Sequence, residues 1–309
     1  MLLSIGDHVA PGTYRFHSRF ARAINFQRQG RLLSLVDEDI GPGPLNLVFR
    51  RVGNLEAKPS PLRNALPPLR IIASTVVLGN QRFHFTPGQR YYSTLDVQSC
   101  DLRRFDRNVV ALAEFLKQTA PSPSLIFLLD EPSDGLSSGF DRALGQQMRR
   151  GLRQVFQGRL LKGVQNLSGC GRGLTPSGDD FIAGLLFGLN VLQELHHQDL
   201  RATADAVFQA AQGNNIFSNT FLDLARQGLF FGRMKDLVAA LLSGGAAAMR
   251  KATAKLLAIG ASSGADLAAG FLLAVRDPRR ILRLQGGRAG STISKVVPSP
   301  GRLCAVMVP

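Results

Sequence analysis

Up to about residue 100 apolar and polar positions alternate in short runs, and beyond it the period changes. The runs at 32–36, 45–49, 71–78 and 83–85 are β-prone, and Gly41-Pro42-Gly43-Pro44, Gly79-Asn80 and Pro87-Gly88 punctuate them. The Gly79-Asn80 step between two such runs predicts a hairpin. From Asp101 onward Val109, Leu112, Ala113 and Leu116 recur at helical spacing. A polar loop at 130–139 follows, with Ser137 or Ser138 placed to cap a helix that carries Leu144, Met148, Leu152, Val155 and Phe156. The pattern then predicts a buried helix at about 177–195 and further helices at about 200–212, 218–228, 233–242, 246–259 and 264–276. The expected fold is α+β: a β-rich N-terminal domain at 1–100, a mainly helical domain at 101–276, and a basic, disordered tail at 277–309. The strict strand–helix alternation of a doubly wound sheet is missing.

One segment of the helical part reads as chemistry: Gly169-Cys170-Gly171-Arg172-Gly173-Leu174-Thr175-Pro176-Ser177-Gly178-Asp179-Asp180, directly before an apolar helix. Glycines at alternate positions permit positive φ and close approach to the backbone. A glycine loop that opens a helix can present N–H groups to an anion, and helix capping calls for the same residue types. The device recurs in part. Ser177-Gly178-Asp179-Asp180 with Gly184, and Ser263-Gly264-Ala265-Asp266 with Gly270, both read S-G-x-D-x-x-x-G. In each, Ser is placed to cap, Asp complements the dipole of the first turn, and the later Gly lets two helices cross closely. Capping accounts for Asp180 and Asp266; it does not account for the added Asp179, Thr175-Pro176 and three glycines. The two helix starts, facing each other, would bind one small anion between them, and the aspartates would hold Mg²⁺ or orient a neighbour. A third polar cluster, Asn214, Asn215, Ser218, Asn219 and Thr220, contains a cap, read at Asn214. Its Ser218-Asn219-Thr220 trio suits recognition of a carboxylate or carboxamide.

Composition narrows the classes. At 309 residues, 45% of them apolar, the chain can bury a full core. No apolar run is long enough to span a bilayer, because 254–275 is broken by Ser262, Ser263 and Asp266, and the first residues lack a signal-peptide pattern. Cys100, Cys170 and Cys304 lie far apart, which predicts a reduced, cytoplasmic protein without a disulfide framework. The net charge of +15 suggests nucleic acid until it is located. Residues 1–100 carry an excess of 6 basic groups, 101–275 of 3, and the last 34 of 6. The helical body is thus near neutral, and a chain with no tryptophan and three tyrosines has little with which to stack bases. The P-loop, G-x-G-x-x-G and H-E-x-x-H patterns are missing. His8, His17 and His84 show no ligand spacing, and His196-His197 reads as a solvated pair at a helix end.

Taken together, G-x-G-x-G-L-T-P-S-G-D-D-F-x-x-G, the Ser/Asn/Thr cluster with Leu222, Ala225 and Gly228 after it, and G-A-S-S-G-A-D-x-x-x-G resemble the AllH (YlbF-like) family. Two N-terminal stretches, His17-Ser18-Arg19-Phe20-Ala21-Arg22-Ala23-Ile24-Asn25 and Gly41-Pro42-Gly43-Pro44-Leu45-Asn46, look like elements of the same family, so the resemblance covers about 14–276. It implies a subunit of oxamate carbamoyltransferase in purine and allantoin degradation, working with FdrA-type (AllF) and AllG-type partners. The ligands implied are small anions: oxamate, phosphate and carbamoyl phosphate. On this reading Asp179 and Asp180 are catalytic, and Gly171, Gly173, Thr175, Ser177, Gly178, Ser218, Asn219, Thr220, Ser263, Gly264 and Asp266 bind substrate or anion. No cofactor follows with certainty, and Mg²⁺ is the one candidate. Two other readings stand beside it: a non-catalytic subunit that docks FdrA-like chains, and a free-standing metal-dependent enzyme of carboxylase type.

Overall fold

A computed structural model describes residues 1–55, 66–97, 101–122, 124–126 and 139–276. The polar loop read at 130–139 with its Ser137 or Ser138 cap lies outside these apart from Gly139, as do Cys100, Cys304 and the tail at 277–309. The side chains of Leu144 and Phe156 are likewise not described.

The N-terminal part is one nine-stranded sheet made of β1 (Leu2–Gly6), β2 (Gly12–Phe20), β3 (Ala23–Arg28), β4 (Arg31–Asp37), β5 (Asn46–Phe49), β6 (Leu69–Ile72), β7 (Thr75–Leu78), β8 (Gln81–His84) and β9 (Arg90–Tyr91). Their order is β8-β7-β6-β2-β3-β4-β5-β1-β9. Neighbours are antiparallel except β4 with β5 and β1 with β9. Phe49 of β5 meets Phe83 of β8 edge-on at 5.0 Å, although the two strands are far apart in this order, so the sheet curls on itself. Leu33, Leu35, Leu47, Phe49, Leu69, Ile71, Val76 and Leu78 fill the space inside. The hairpin expected at Gly79-Asn80 is present, with Leu78 paired to Gln81. The run at 71–78 is not one strand: it reverses at Ala73-Ser74, where Ala73 has φ +48°, and Ile72 pairs with Thr75.

The helical part contains α1 (Leu102–Thr119), α2 (Gly139–Phe156), α3 (Leu160–Leu167), α4 (Ser177–His196), α5 (Arg201–Ala211), α6 (Ile216–Arg226), α7 (Gly232–Ser243), α8 (Ala246–Leu257) and α9 (Ser263–Arg276). The fold is therefore α+β, with the sheet first. Asp101 caps α1 by accepting from the Arg103 and Arg104 amides, and the face with Val109, Leu112, Ala113 and Leu116 is buried as its spacing demands. The sequence pattern missed α3, which is set off from α2 by Gly158 in a left-handed turn at φ +81°. Almost every side of α4 and α9 is apolar and buried, so the two form the axis that the other helices wrap.

The two parts are joined by specific bonds. The Leu32 amide donates to Thr220 Oγ1 at 3.2 Å, Arg31 pairs with Asp223 at 3.0 Å, and the Tyr91 hydroxyl donates to the Phe230 carbonyl at 2.8 Å. Gly232 donates its amide to the Pro42 carbonyl at 2.8 Å, which brings the Gly41-Pro42-Gly43-Pro44 turn against the start of α7. Among the described residues no helix is long and apolar enough to cross a membrane.

Candidate functional site

Helices α4 and α9 cross with backbone against backbone. A Cβ on Gly184 would lie 1.9 Å from the Leu267 carbonyl oxygen, and one on Gly270 would lie 1.8 Å from that of Phe181. The eighth residue of each S-G-x-D-x-x-x-G copy thus meets the fifth of the other, an approximate two-fold relation. At the helix starts the second residue of each copy packs on the preceding helix. Gly178 faces the Leu167 carbonyl and Gly264 that of Leu256, with 1.9 and 2.0 Å left for a Cβ.

This crossing gives the serines a role other than the expected cap. The position before α4 is Pro176, which makes no side-chain cap, and Ser177 is the first helical residue. Its hydroxyl stands against Asp266 of the other copy, and the Ser263 hydroxyl stands against Asp180. Each serine therefore serves the aspartate across the crossing. Asp180 is 3% exposed, Asp266 is fully buried, and Oδ2 of each has no hydrogen-bond partner. Burial drives the Asp180 pKa up to about 7, the Ser263 and Thr175 hydroxyls oppose the shift, and the nearby Asp266 and Asp179 carboxylates add to it. Asp266 is raised mainly by burial as well, against the Leu125 amide and the Ser177 and Ser262 hydroxyls; the Leu125 N–H bond is 2.6 Å.

The glycine loop folds back on the start of α4. Gly169, Gly171 and Gly173 all have positive φ, and a Cβ on Gly171 would lie 2.5 Å from the Ser177 nitrogen. Asp179 accepts from the Gly169 amide at 2.8 Å and so closes the loop. The Gly178 and Gly264 amides, expected to face an anion, donate to the carbonyls of Cys170 and Ile259. The cap of α6 is Asn215, not Asn214: its Oδ1 accepts from the Phe217 and Ser218 amides, and its Nδ2 donates to the Leu174 carbonyl at 2.7 Å. Asn219 braces Gly213 through both amide atoms, Thr220 binds β4, and Ser218 is buried with its hydroxyl unpartnered.

A cavity of about 400 Å³ lies where the sheet meets the helices. Asp180 and Ser263 line it, together with the turn from Pro42 to Asn46, Arg22 from the β2–β3 hairpin, and Arg233 from α7. The remaining sequence-expected site residues do not line it. Thr175 and Asp266 reach it through Asp180, while Asp179, Gly171, Ser177 and Gly178 shape the helix start. Arg22 is exposed and makes no ion pair among the described residues. Arg233 donates to the carbonyls of Lys255 and Asp39, both uncharged acceptors, and makes no ion pair among the described residues. Only the packing of sheet on helices brings the two arginines into the cavity that Asp180 lines. Among the described residues no group of three His, Cys, Asp or Glu side chains could hold a metal. Asp180 is the one carboxylate that lines the cavity, so a Mg²⁺ ion there would depend on water or substrate for its other ligands.

A buried acid with one unpartnered oxygen, at the crossing of two glycine-bearing helix starts, is the feature that the sequence motif encodes. Residues 167–275 match the AllH family. The matching model is described as oxamate carbamoyltransferase subunit AllH, and the match spans a little over a third of the chain. It contains both copies of the motif, the whole α4–α9 axis and Arg233. It leaves out the sheet, which supplies Arg22 and the Pro42–Asn46 turn. No curated protein and no solved structure matches the chain.

Proposed function

We propose that this chain is a subunit of an oxamate carbamoyltransferase-type complex and that the cavity at Asp180 holds the carbamoyl-bearing substrate. The observation that carries the reading is the free Asp180 Oδ2, buried in a cavity that also presents two arginines without carboxylate partners. Arg22 and Arg233 suit the carboxylate of oxamate or the oxygens of phosphate. In the direction that forms carbamoyl phosphate, a phosphate oxygen bonds to the carbamoyl carbon. The carbon–nitrogen bond to oxamate then breaks, and the departing nitrogen takes up a proton. Monohydrogen phosphate supplies that proton overall. A carboxyl group that titrates near 7 is suited to relaying it, since both protonation states are populated at neutral pH. The other subunits would be FdrA-type and AllG-type chains, and any Mg²⁺ would assist at the phosphate.

The non-catalytic reading draws on one observation: Phe20 and Leu174 are 41% and 49% exposed, large apolar groups available to a partner. One experiment separates the two. Asp180→Asn and Arg22→Gln chains are co-expressed with FdrA-type and AllG-type subunits, and both complex recovery and carbamoyl phosphate formation are measured. Catalysis at this cavity predicts intact assembly, a rate about 100-fold lower for Asp180→Asn, and a raised KM for Arg22→Gln. Intact assembly with unchanged turnover would leave this chain a structural subunit.

A further inference from the structure

The cavity of about 400 Å³ is more apolar than oxamate requires. One wall of it is hydrocarbon: Phe221, Phe231, Leu224, Leu229, Ile259 and Leu267. This wall is backed. Phe187, 0% exposed, meets Phe221 at 6.0 Å and Phe231 at 6.1 Å, and those two meet each other at 5.9 Å. Rings interlocked in this way do not fold inward to fill an empty site. The polar side chains that line the cavity are few, and Asn46 among them already donates to the Gly41 carbonyl. Arg22 and Arg233 want an anion, while Asp180 and Ser263 offer a carboxyl and a hydroxyl to a group that both donates and accepts hydrogen bonds.

We infer that the cavity takes ureido acids with an apolar side chain, compounds that join a carboxylate, a carbamoylated nitrogen and a hydrocarbon body. The inference rests on the reading of this cavity as the carbamoyl site and names its preferred substrate class. The carboxylate lies with the arginines, the ureido group with Asp180 and Ser263, and the side chain against the Phe221–Phe231 wall.

The test is calorimetric titration of the full chain, alone and in its complex, with four probes: oxamate, N-carbamoyl-oxamate, N-carbamoylglycine and N-carbamoyl-leucine. Each buried methylene tightens binding about fourfold, so N-carbamoyl-leucine should bind at least tenfold more tightly than N-carbamoylglycine even with incomplete burial. Ala258 lines the same cavity from an exposed position, and Ala258→Leu should remove that gain while N-carbamoylglycine binds as before. Equal binding of the glycine and leucine compounds, weakened alike by Asp180→Asn, would overturn the inference and leave the carbamoyl site standing. Binding that ignores Asp180→Asn, or no binding by any probe, would overturn both.

Discussion

Replacing Asp180 with Asn should stabilise the protein, and by an amount that grows with pH. Burial holds the carboxyl near pKa 7 in the folded state against its ordinary value of 3.8. Between those values the folded chain binds the proton and the unfolded chain does not, so stability falls as pH rises, and the loss is complete above 7. Three units correspond to about 4 kcal/mol. Asn is nearly isosteric with the protonated acid and does not titrate, so the variant escapes this loss. Urea unfolding of both proteins at pH 5, 6 and 8 gives the gap between them, and the gap cancels the titrations that they share. It should widen by about 2–3 kcal/mol from pH 5 to pH 8, with the variant the more stable at pH 8. The charged groups around Asp180 are Asp266 and Asp179, which raise its pKa, and Arg22 and Arg233 across the cavity. A gap that stays constant with pH, or one that widens toward acid, would show that Asp180 is ionised in the folded protein at neutral pH. The proton-relay role would fall with it.

Two further substitutions test the packing beneath the site. Gly184→Ala places a methyl group 1.9 Å from the Leu267 carbonyl and should cost about 2–3 kcal/mol in urea unfolding despite the better helix propensity of Ala; Gly213→Ala, with nothing within 4 Å, should stay within about 0.5 kcal/mol of the parent. Asn215→Ala removes the α6 cap and the bond to the Leu174 carbonyl, which predicts a loss of about 1–2 kcal/mol and faster amide exchange across 169–176.

The fold class could be read from the chain because periodicity is strong where burial is one-sided or complete. Helix α1 shows a clean apolar stripe, and α4 and α9 are apolar throughout, so both types announce themselves. The first strands do not. β2 carries Arg15, His17, Ser18 and Arg19 and is mostly half-exposed, so it lacks the alternation that marks a strand. The reversal at Ala73-Ser74 carries no turn signal, because a non-glycine residue adopts positive φ there. The site shows the same division. Asp180 and Ser263 are legible because a motif places them at helix starts. Arg22 lies 158 residues before Asp180, inside the His17–Asn25 stretch of the resemblance, and Arg233 lies 53 after it; no local pattern gives either a role.

The repeated motif is symmetric in packing and asymmetric in use. Both glycines at the eighth position admit the other helix, and both serines attend the aspartate across the crossing. Only one of the two Ser–Asp pairs, Ser263 with Asp180, lines the cavity. The other, Ser177 with Asp266, is closed over by the loop that brings the Leu125 amide to Asp266. The covered carboxyl thus receives a backbone donor as well as hydroxyls, whereas Asp180 receives hydroxyls alone. Of two buried acids near each other, the one with more donors is the better carboxylate, and the other retains the proton. Burial is what chiefly raises Asp180, Asp266 adds to it, and the open face of Asp180 is where a proton can be used. A single anion held between two equivalent helix starts would need both starts open to it. The structure opens one, and there it offers an acid in a cavity that two arginines also line rather than a ring of amides.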